Sequence, residues 1–312
     1  MYRRGGGASS VAVPSELPGP ALPAVGATLP ASVKAGATHV RSALWLARRR
    51  GRLDENGLRI LFYHRVSDDE DLLAVTPRRF RRQMELLAAE GYAVVSLEVA
   101  ADLLDAGVTA QRTVVLNFDD GYLDVAENAL PVLEDLGFPA TVFLPTGAID
   151  GTTKLSWYRT QPPLLGWDEI GELDRRGTLR FEAHTVTHPN LLALGEDAAR
   201  AEIAGSKVAL EERLGRPVDA FCYPAGLYGP RDRGCVADAG FRIAVSCEPG
   251  VNRPGADLLA LRRRQIDARD AMLDFRAKLG GGHDSPLPLR NVYRRMRFGE
   301  RQPVASGRRI AV

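Results

Sequence analysis

The chain has 312 residues, 45% hydrophobic and 26% charged, the balance of a globular protein with one large domain or two small ones. Net charge is +2, yet residues 1–60 and residues 290–312 each carry +6, so the stretch between them, 61–289, carries −10. Three scattered cysteines, Cys222, Cys235 and Cys247, exclude a disulfide framework or a thiolate metal site and fit a reducing compartment.

The N-terminal stretch to about Ser32, rich in Pro, Gly, Ala and Ser, lacks the apolar core of a secretory signal and reads as disordered. From Ala35 to Arg52 the spacing predicts a short amphipathic helix ending in an arginine cluster, a solvated cap or a surface for acidic partners. No stretch is long and apolar enough to span a membrane. These residues, 1–57, form a basic leader.

The organised region starts at "LRILFYH", an apolar strand from Leu58 that ends on His64. A helix follows, with Thr76 as N-cap, Pro77 in its first turn and Gly91 as its stop. Strand and helix then alternate. "YAVVSL" precedes a helix over Leu97–Asp105, and "RTVVLNF" one over about Leu123–Leu136. "ATVFLP" leads through a loop to "WDEIGELDRRG", where Asp168 is the expected cap. "LRFEAH" precedes a helix over Glu196–Leu214, "VDAFCYP" one over about Arg231–Ala239, and "FRIAVS", "LRRRQID" and "DAMLDFRAKL" close the series. This order predicts an α/β fold, a distorted (β/α) barrel of about seven parallel strands over residues 58–280, with a basic tail over 281–312.

In such folds chemistry sits beyond the C-terminal ends of the strands. Polar clusters fall there: His64, Asp119-Asp120 in "NFDDGY", His184 and His188 in "HTVTH", and the turn "YPAG" from Tyr223. Adjacent buried carboxylates repel unless something positive compensates them. His184 and His188, four apart, aim two imidazoles at one point from a helical turn or tight loop. With one carboxylate they make the three-ligand set of an open Zn²⁺-type site, and the second aspartate stays free as a general base. An HxxxH pair by itself is more often two ordinary histidines, but not beside a strand-end "DDG".

"NFDDGY" and "HTVTHPNL" resemble the first two motifs of the polysaccharide deacetylases, the NodB-type carbohydrate esterases. "FCYPAG" is similar to their third, and "LFYHRV" resembles the opening of the poly-N-acetylglucosamine deacetylase branch. The resemblance covers about residues 58–280. It implies Asp119 as catalytic base, Asp120, His184 and His188 as ligands of one divalent metal (Zn, with Co or Ni as alternatives), and an oxyanion donor in Tyr223-Pro224-Ala225, near Ala225. In that branch the acid histidine comes first in sequence, which here is His64; His283, in "GGGHDSP", is the fallback.

The chain departs from the family pattern where the usual third-motif arginine and tyrosine are replaced by Cys222 and Ala225. Arg263 in "LRRRQID" is the candidate to orient Asp119 instead. Trp157 and Trp167 could stack on a sugar face, although packing is the commoner fate of such residues.

The implied activity is removal of N-acetyl groups from N-acetylglucosamine units of a polymer, oligomer or glycan precursor. A same-fold hydrolase of another linear or cyclic amide, or an inactive sugar-binding module, are the alternatives. The arginine runs lack the aromatic interleaving of a nucleic-acid surface, so no nucleic acid is expected. Cytoplasmic or inner-membrane-surface placement is expected, with the basic ends touching acidic surfaces.

Overall fold

The computed structural model describes residues 31–49 and 57–284. Seven parallel strands form its wall: β1 (Leu58–Tyr63), β2 (Thr113–Asp119), β3 (Ala140–Leu144), β4 (Leu179–Ala183), β5 (Ala220–Cys222), β6 (Ile243–Val245) and β7 (Arg263–Gln265). Their order around the sheet is β7-β1-β2-β3-β4-β5-β6. A parallel bridge between Val245 and Leu261 brings the two edges together, with Ser246 N–H donating to Leu261 C=O at 2.8 Å. The result is the nearly closed, distorted barrel that the strand–helix alternation predicts.

Helices α1 (Ala31–Arg49), α2 (Pro77–Ala89), α3 (Leu97–Asp105), α4 (Leu130–Leu136), α5 (Thr146–Ile149), α6 (Trp167–Arg176), α7 (Glu196–Leu214), α8 (Pro230–Asp238) and α9 (Met272–Leu279) complete the described secondary structure, apart from short turns, a short strand at Ala93–Val94 and a separate parallel pair, Arg65–Val66 with Ala74–Val75. Thr76 caps α2, its Oγ1 accepting from Arg79 N–H at 3.3 Å, as its sequence signature predicts. Three local expectations change. The helix expected over Leu123–Leu136 opens with a π-turn at Val125–Ala129 before α4. The cap of α6 is Gly166, whose N–H donates to Glu169; Asp168 lies inside the first turn. The strand expected at "YAVVSL" shrinks to Ala93–Val94, paired to the start of β2.

Alternation along the strands decides which side chains face the barrel interior. Leu58, Ile60, Val115, Phe143, Ala220, Cys222, Ile243 and Val245 share one buried cluster, floored by Leu97, Ala100 and Leu104 of α3. Leu61, Tyr63, Leu116, Phe118, Val142, Leu144, Phe181 and Phe221 belong to a second cluster with the outer helices. The same period of two carries the inner face forward to His64, Asp119, His184 and Arg263. All four therefore come to one end of the barrel.

Helix α1, part of the basic leader in the sequence reading, lies on α9. Ser42 Oγ donates to Asp274 Oδ1 at 2.6 Å and lies 2.9 Å from His283 Nε2, while His39 Nδ1 bonds to the same carboxylate. The described residues run past the expected boundary at residue 280 to Asp284, which accepts from Arg59 Nη1 at 2.7 Å.

Candidate metal and catalytic site

The site is built where strands end in strained backbone. Among the described residues, the non-glycine positions with positive φ are Arg112, Asp120 (74°), Thr185 (67°), His188 (56°) and Ala225 (53°), so four of the five lie at this rim. Such conformations cost about 1–3 kcal/mol each and persist where surrounding structure enforces them. Asp120 N–H is tied to Phe143 C=O at 2.9 Å, and His184 N–H to Leu144 C=O at 3.0 Å. Gly121 stands at φ 71°, where any side chain is strained, and a Cβ there would also have to displace Leu144 Cδ2, 2.5 Å away. The "HTVTH" segment is a loop, gripped by Glu202, which accepts from the backbone N–H of Val186 (2.9 Å) and Thr187 (2.8 Å).

Asp120 Oδ1 lies 3.7 Å from His184 Nε2 and 3.7 Å from His188 Nε2, and the two imidazoles meet edge to face at 4.6 Å. His184 Nδ1 bonds to Cys222 C=O at 2.7 Å, which makes Nδ1 the protonated nitrogen and leaves the Nε2 lone pair toward Asp120. Burial lowers His184 to about 4 against the pull of Asp119, and burial followed by the neighbouring His184 holds His188 well below its ordinary value. Asp120 is 1% exposed, and its Oδ1 has no hydrogen-bond partner among the described residues; Oδ2 accepts from Tyr122 O–H at 3.2 Å. Burial, then the charge of Asp119, pushes the Asp120 carboxyl well above the carboxylate range. Two neutral imidazole nitrogens and an orphaned buried carboxylate oxygen, all within 4.8 Å of one another, fit a divalent cation.

Asp119 has a different partner. Arg263, fully buried in β7, donates from Nη1 to Oδ1 at 2.7 Å and from Nη2 to Oδ2 at 2.8 Å. Its Nε is spent on Ser246 C=O at 2.9 Å, and its plane lies 4.2 Å from the Phe62 ring centroid. Nη2 is also 3.0 Å from Cys222 Sγ, so the small cysteine leaves the room that the guanidinium fills. Burial raises the Asp119 carboxyl, but the charge and hydrogen bonds of Arg263 outweigh it and bring the value to about 2. Asp119, His184 and Cys222 also cluster, but that trio makes a poor cation site. Both Asp119 oxygens already serve a cation, and burial keeps the Cys222 thiol protonated.

His64 follows β1 with its ring 5.7 Å from Phe62, its Nδ1 buried and unpartnered. Burial lowers its pKa while the Asp119 charge raises it, so the ring stands within electrostatic reach of Asp119. His283, the fallback acid, is instead held by Ser42 under α1.

The third-motif turn divides its residues between packing and the site. Tyr223 is buried, donates from its hydroxyl to Leu259 C=O at 3.0 Å and stacks on Tyr228 at 4.2 Å. Its N–H bonds to Val245 C=O at 3.1 Å, and Pro224 has no N–H. Those bonds remove Tyr223 and Pro224 as backbone oxyanion donors, a correction to the sequence expectation, and Ala225 lies at the exposed tip of the turn. Trp157, for which the sequence reading favours packing over stacking on a sugar, does not sit in the core. It is 41% exposed and meets His188 edge-on at 4.8 Å, a placement that no local signal in its loop announces.

Residues 106–244 match the family model for polysaccharide deacetylase. The chain carries a polysaccharide deacetylase domain. Among its relatives, YxkH of Bacillus subtilis (strain 168), named as a polysaccharide deacetylase, is 27% identical over 210 residues, 67% of this chain and 71% of that protein. The poly-beta-1,6-N-acetyl-D-glucosamine N-deacetylase of Staphylococcus epidermidis is 25% identical over 227 residues, 65% of this chain and 77% of its own. The structure of IcaB from Ammonifex degensii superposes with a TM-score of 0.65 at 26% identity, covering 75% of this chain and all of that one. The deacetylase domain is thus a carbohydrate-directed hydrolase domain, and its metal-type cluster and its carboxylate–guanidinium pair share one rim.

Proposed function

We propose that this protein removes N-acetyl groups from N-acetylglucosamine units of a poly- or oligosaccharide, using one divalent metal. The observation that carries the reading is the division of labour between adjacent aspartates. Asp120 faces two imidazoles with an unpartnered oxygen, while Asp119 is neutralised and aimed by Arg263. Asp120, His184 and His188 would hold the ion, and the N₂O set suits Zn²⁺, with Co²⁺ or Ni²⁺ as substitutes. When bound, such an ion polarises an amide carbonyl and acidifies water.

The rest falls to the protein. Asp119 takes a proton from the attacking water, in an orientation set by the guanidinium fork. A carboxyl with a value near 2 holds that proton poorly, so it is passed on rather than kept. His64, at the end of β1 and within electrostatic reach of Asp119, would deliver a proton to the departing nitrogen. The carbonyl carbon gains the water oxygen, the C–N bond breaks, and acetate and a free amine leave. Backbone at Ala225 is the remaining candidate for the oxyanion, and contact of the basic ends with acidic surfaces belongs to the same proposal.

The test is acetate and free-amine release from β-1,6- and β-1,4-linked N-acetylglucosamine oligomers by protein stripped of metal and then given Zn²⁺, Co²⁺ or Ni²⁺. Metal-restored release supports the reading. Metal binding without release from any oligomer, alongside cleavage of a non-sugar amide, would replace it with the other-amide alternative.

A further inference from the structure

Helix α1 is docked with the wrong face outward for a solvated cap. Its buried side is polar, through Ser42 and its bonds to Asp274 and His283, while Ala37, Val40, Ala43, Leu44 and Ala47 are exposed. Val40 and Leu44 are 60% and 53% exposed, one turn apart. They border a groove whose other walls are Arg41, Trp45, Arg48, Gly281 and Gly282.

Behind that groove lies cationic density without enough partners. The Arg59 side chain is only 4% exposed, and while Nη1 reaches Asp284, its Nε and Nη2 have no partner among the described residues; Arg264 Nε is also unpartnered. Arg264 shares the Asp284 carboxylate at 3.6 Å, so one acid serves two guanidinium groups. Burial, together with the charges of Arg59 and Arg41 and against that of Asp284, lowers Arg264 to about 10. Gly281, at φ 92°, stands between groove and guanidinium: a Cβ there would come within 2.7 Å of Arg59 Nη2. With no side chain at Gly281, the Arg59 guanidinium packs directly against this groove-lining glycine, and its orphaned donors are costly to bury without partners.

An apolar trough backed, across Gly281, by an incompletely satisfied guanidinium matches one ligand chemistry. We propose that the α1 groove binds a phospholipid-type anionic amphiphile, its phosphate drawn to Arg59 and Arg264 beside Gly281 and its acyl chain along Val40 and Leu44. Arginine is the residue suited to such bidentate phosphate contacts. The chain's own residues 285–312 carry +6, the wrong sign for this cluster. This site is independent of the deacetylase reading and lies outside the strand-end rim.

The test is thermal unfolding of the full chain with dihexanoyl phosphatidic acid below its micelle concentration, with dihexanoyl phosphatidylcholine, and with inorganic phosphate. At about 100 times its dissociation constant the phosphatidate should raise the melting temperature by about 5 °C. The choline lipid and phosphate should do far less. Leu44→Asp, on the exposed face, should weaken phosphatidate binding at least about tenfold, and Arg59→Gln should do the same if it folds. An equal shift from phosphate alone, no shift from phosphatidate, or undiminished binding by Leu44→Asp would overturn the proposal.

Discussion

Arg263 grips Asp119 through two parallel N–H···O bonds of 2.7 and 2.8 Å although the two residues are 144 positions apart in the chain. The fork sets both the direction and the acidity of the carboxylate. Arg263→Lys keeps a charge but loses the fork, so kcat should fall about 10- to 100-fold. Weaker compensation also lets the Asp119 pKa rise, so the acid limb of the pH–rate profile should move to higher pH. Arg263→Met leaves a buried, unpaired carboxylate and should cost about 3–5 kcal/mol of stability in urea unfolding. An unmoved acid limb in Arg263→Lys would count against the assignment.

Asp119 and Asp120 should separate experimentally. Asp119→Asn should keep metal and lose about 10²–10⁴-fold in turnover, read by metal analysis beside acetate release. Asp120→Asn, His184→Ala or a chelator should remove metal and activity together, and only chelated parent should recover on adding Zn²⁺. Near-normal turnover by Asp119→Asn would remove it as the base.

His64→Ala should retain metal and lose rate mainly at amine departure, by about 10²-fold or more. A substrate with a better leaving group, such as an N-acetylated aromatic amine, should recover part of that loss. Equal deficits on both substrates would point away from proton delivery by His64.

Trp157 offers an exposed ring beside His188, suited to the apolar face of a sugar. Trp157→Ala should raise KM about tenfold with metal content unchanged, the scale of one lost aromatic contact. A kcat loss with constant KM would indicate that the ring instead positions His188.

His283 should make the docking of α1 sensitive to acid. Burial, then Arg41, Lys278 and Arg264, against Asp274, lower it to about 4, below the value near 6.5 of an unfolded chain. As pH falls from about 6.5 to about 4, the unfolded chain gains a proton that the folded one refuses, so stability drops. The loss should be about 1–2 kcal/mol after allowing for partial solvent access. Urea midpoints of His283→Gln should decline less over that window than those of the parent; parallel declines would assign the acid sensitivity to other groups.

Local patterns were enough to read the repeating strand–helix order, the Thr76 cap and the placement of His64, Asp119, Asp120, His184 and His188 at strand ends. Period-two alternation and helix-capping signals are properties of a few neighbouring residues, so they are legible without the fold. The roles within the pair of aspartates have no such local source. Which carboxylate meets Arg263 and which meets the imidazoles depends on closure of the barrel, which pairs Ile60 of β1 with Arg263 of β7 and Asp119 of β2 with Phe143 of β3. Trp157 against His188, Tyr223 turned into the core, and α1 laid polar-side-down on α9 were equally beyond local reading. In each case the partner is chosen by packing between segments far apart in sequence, and spacing along the chain carries no information about such distances.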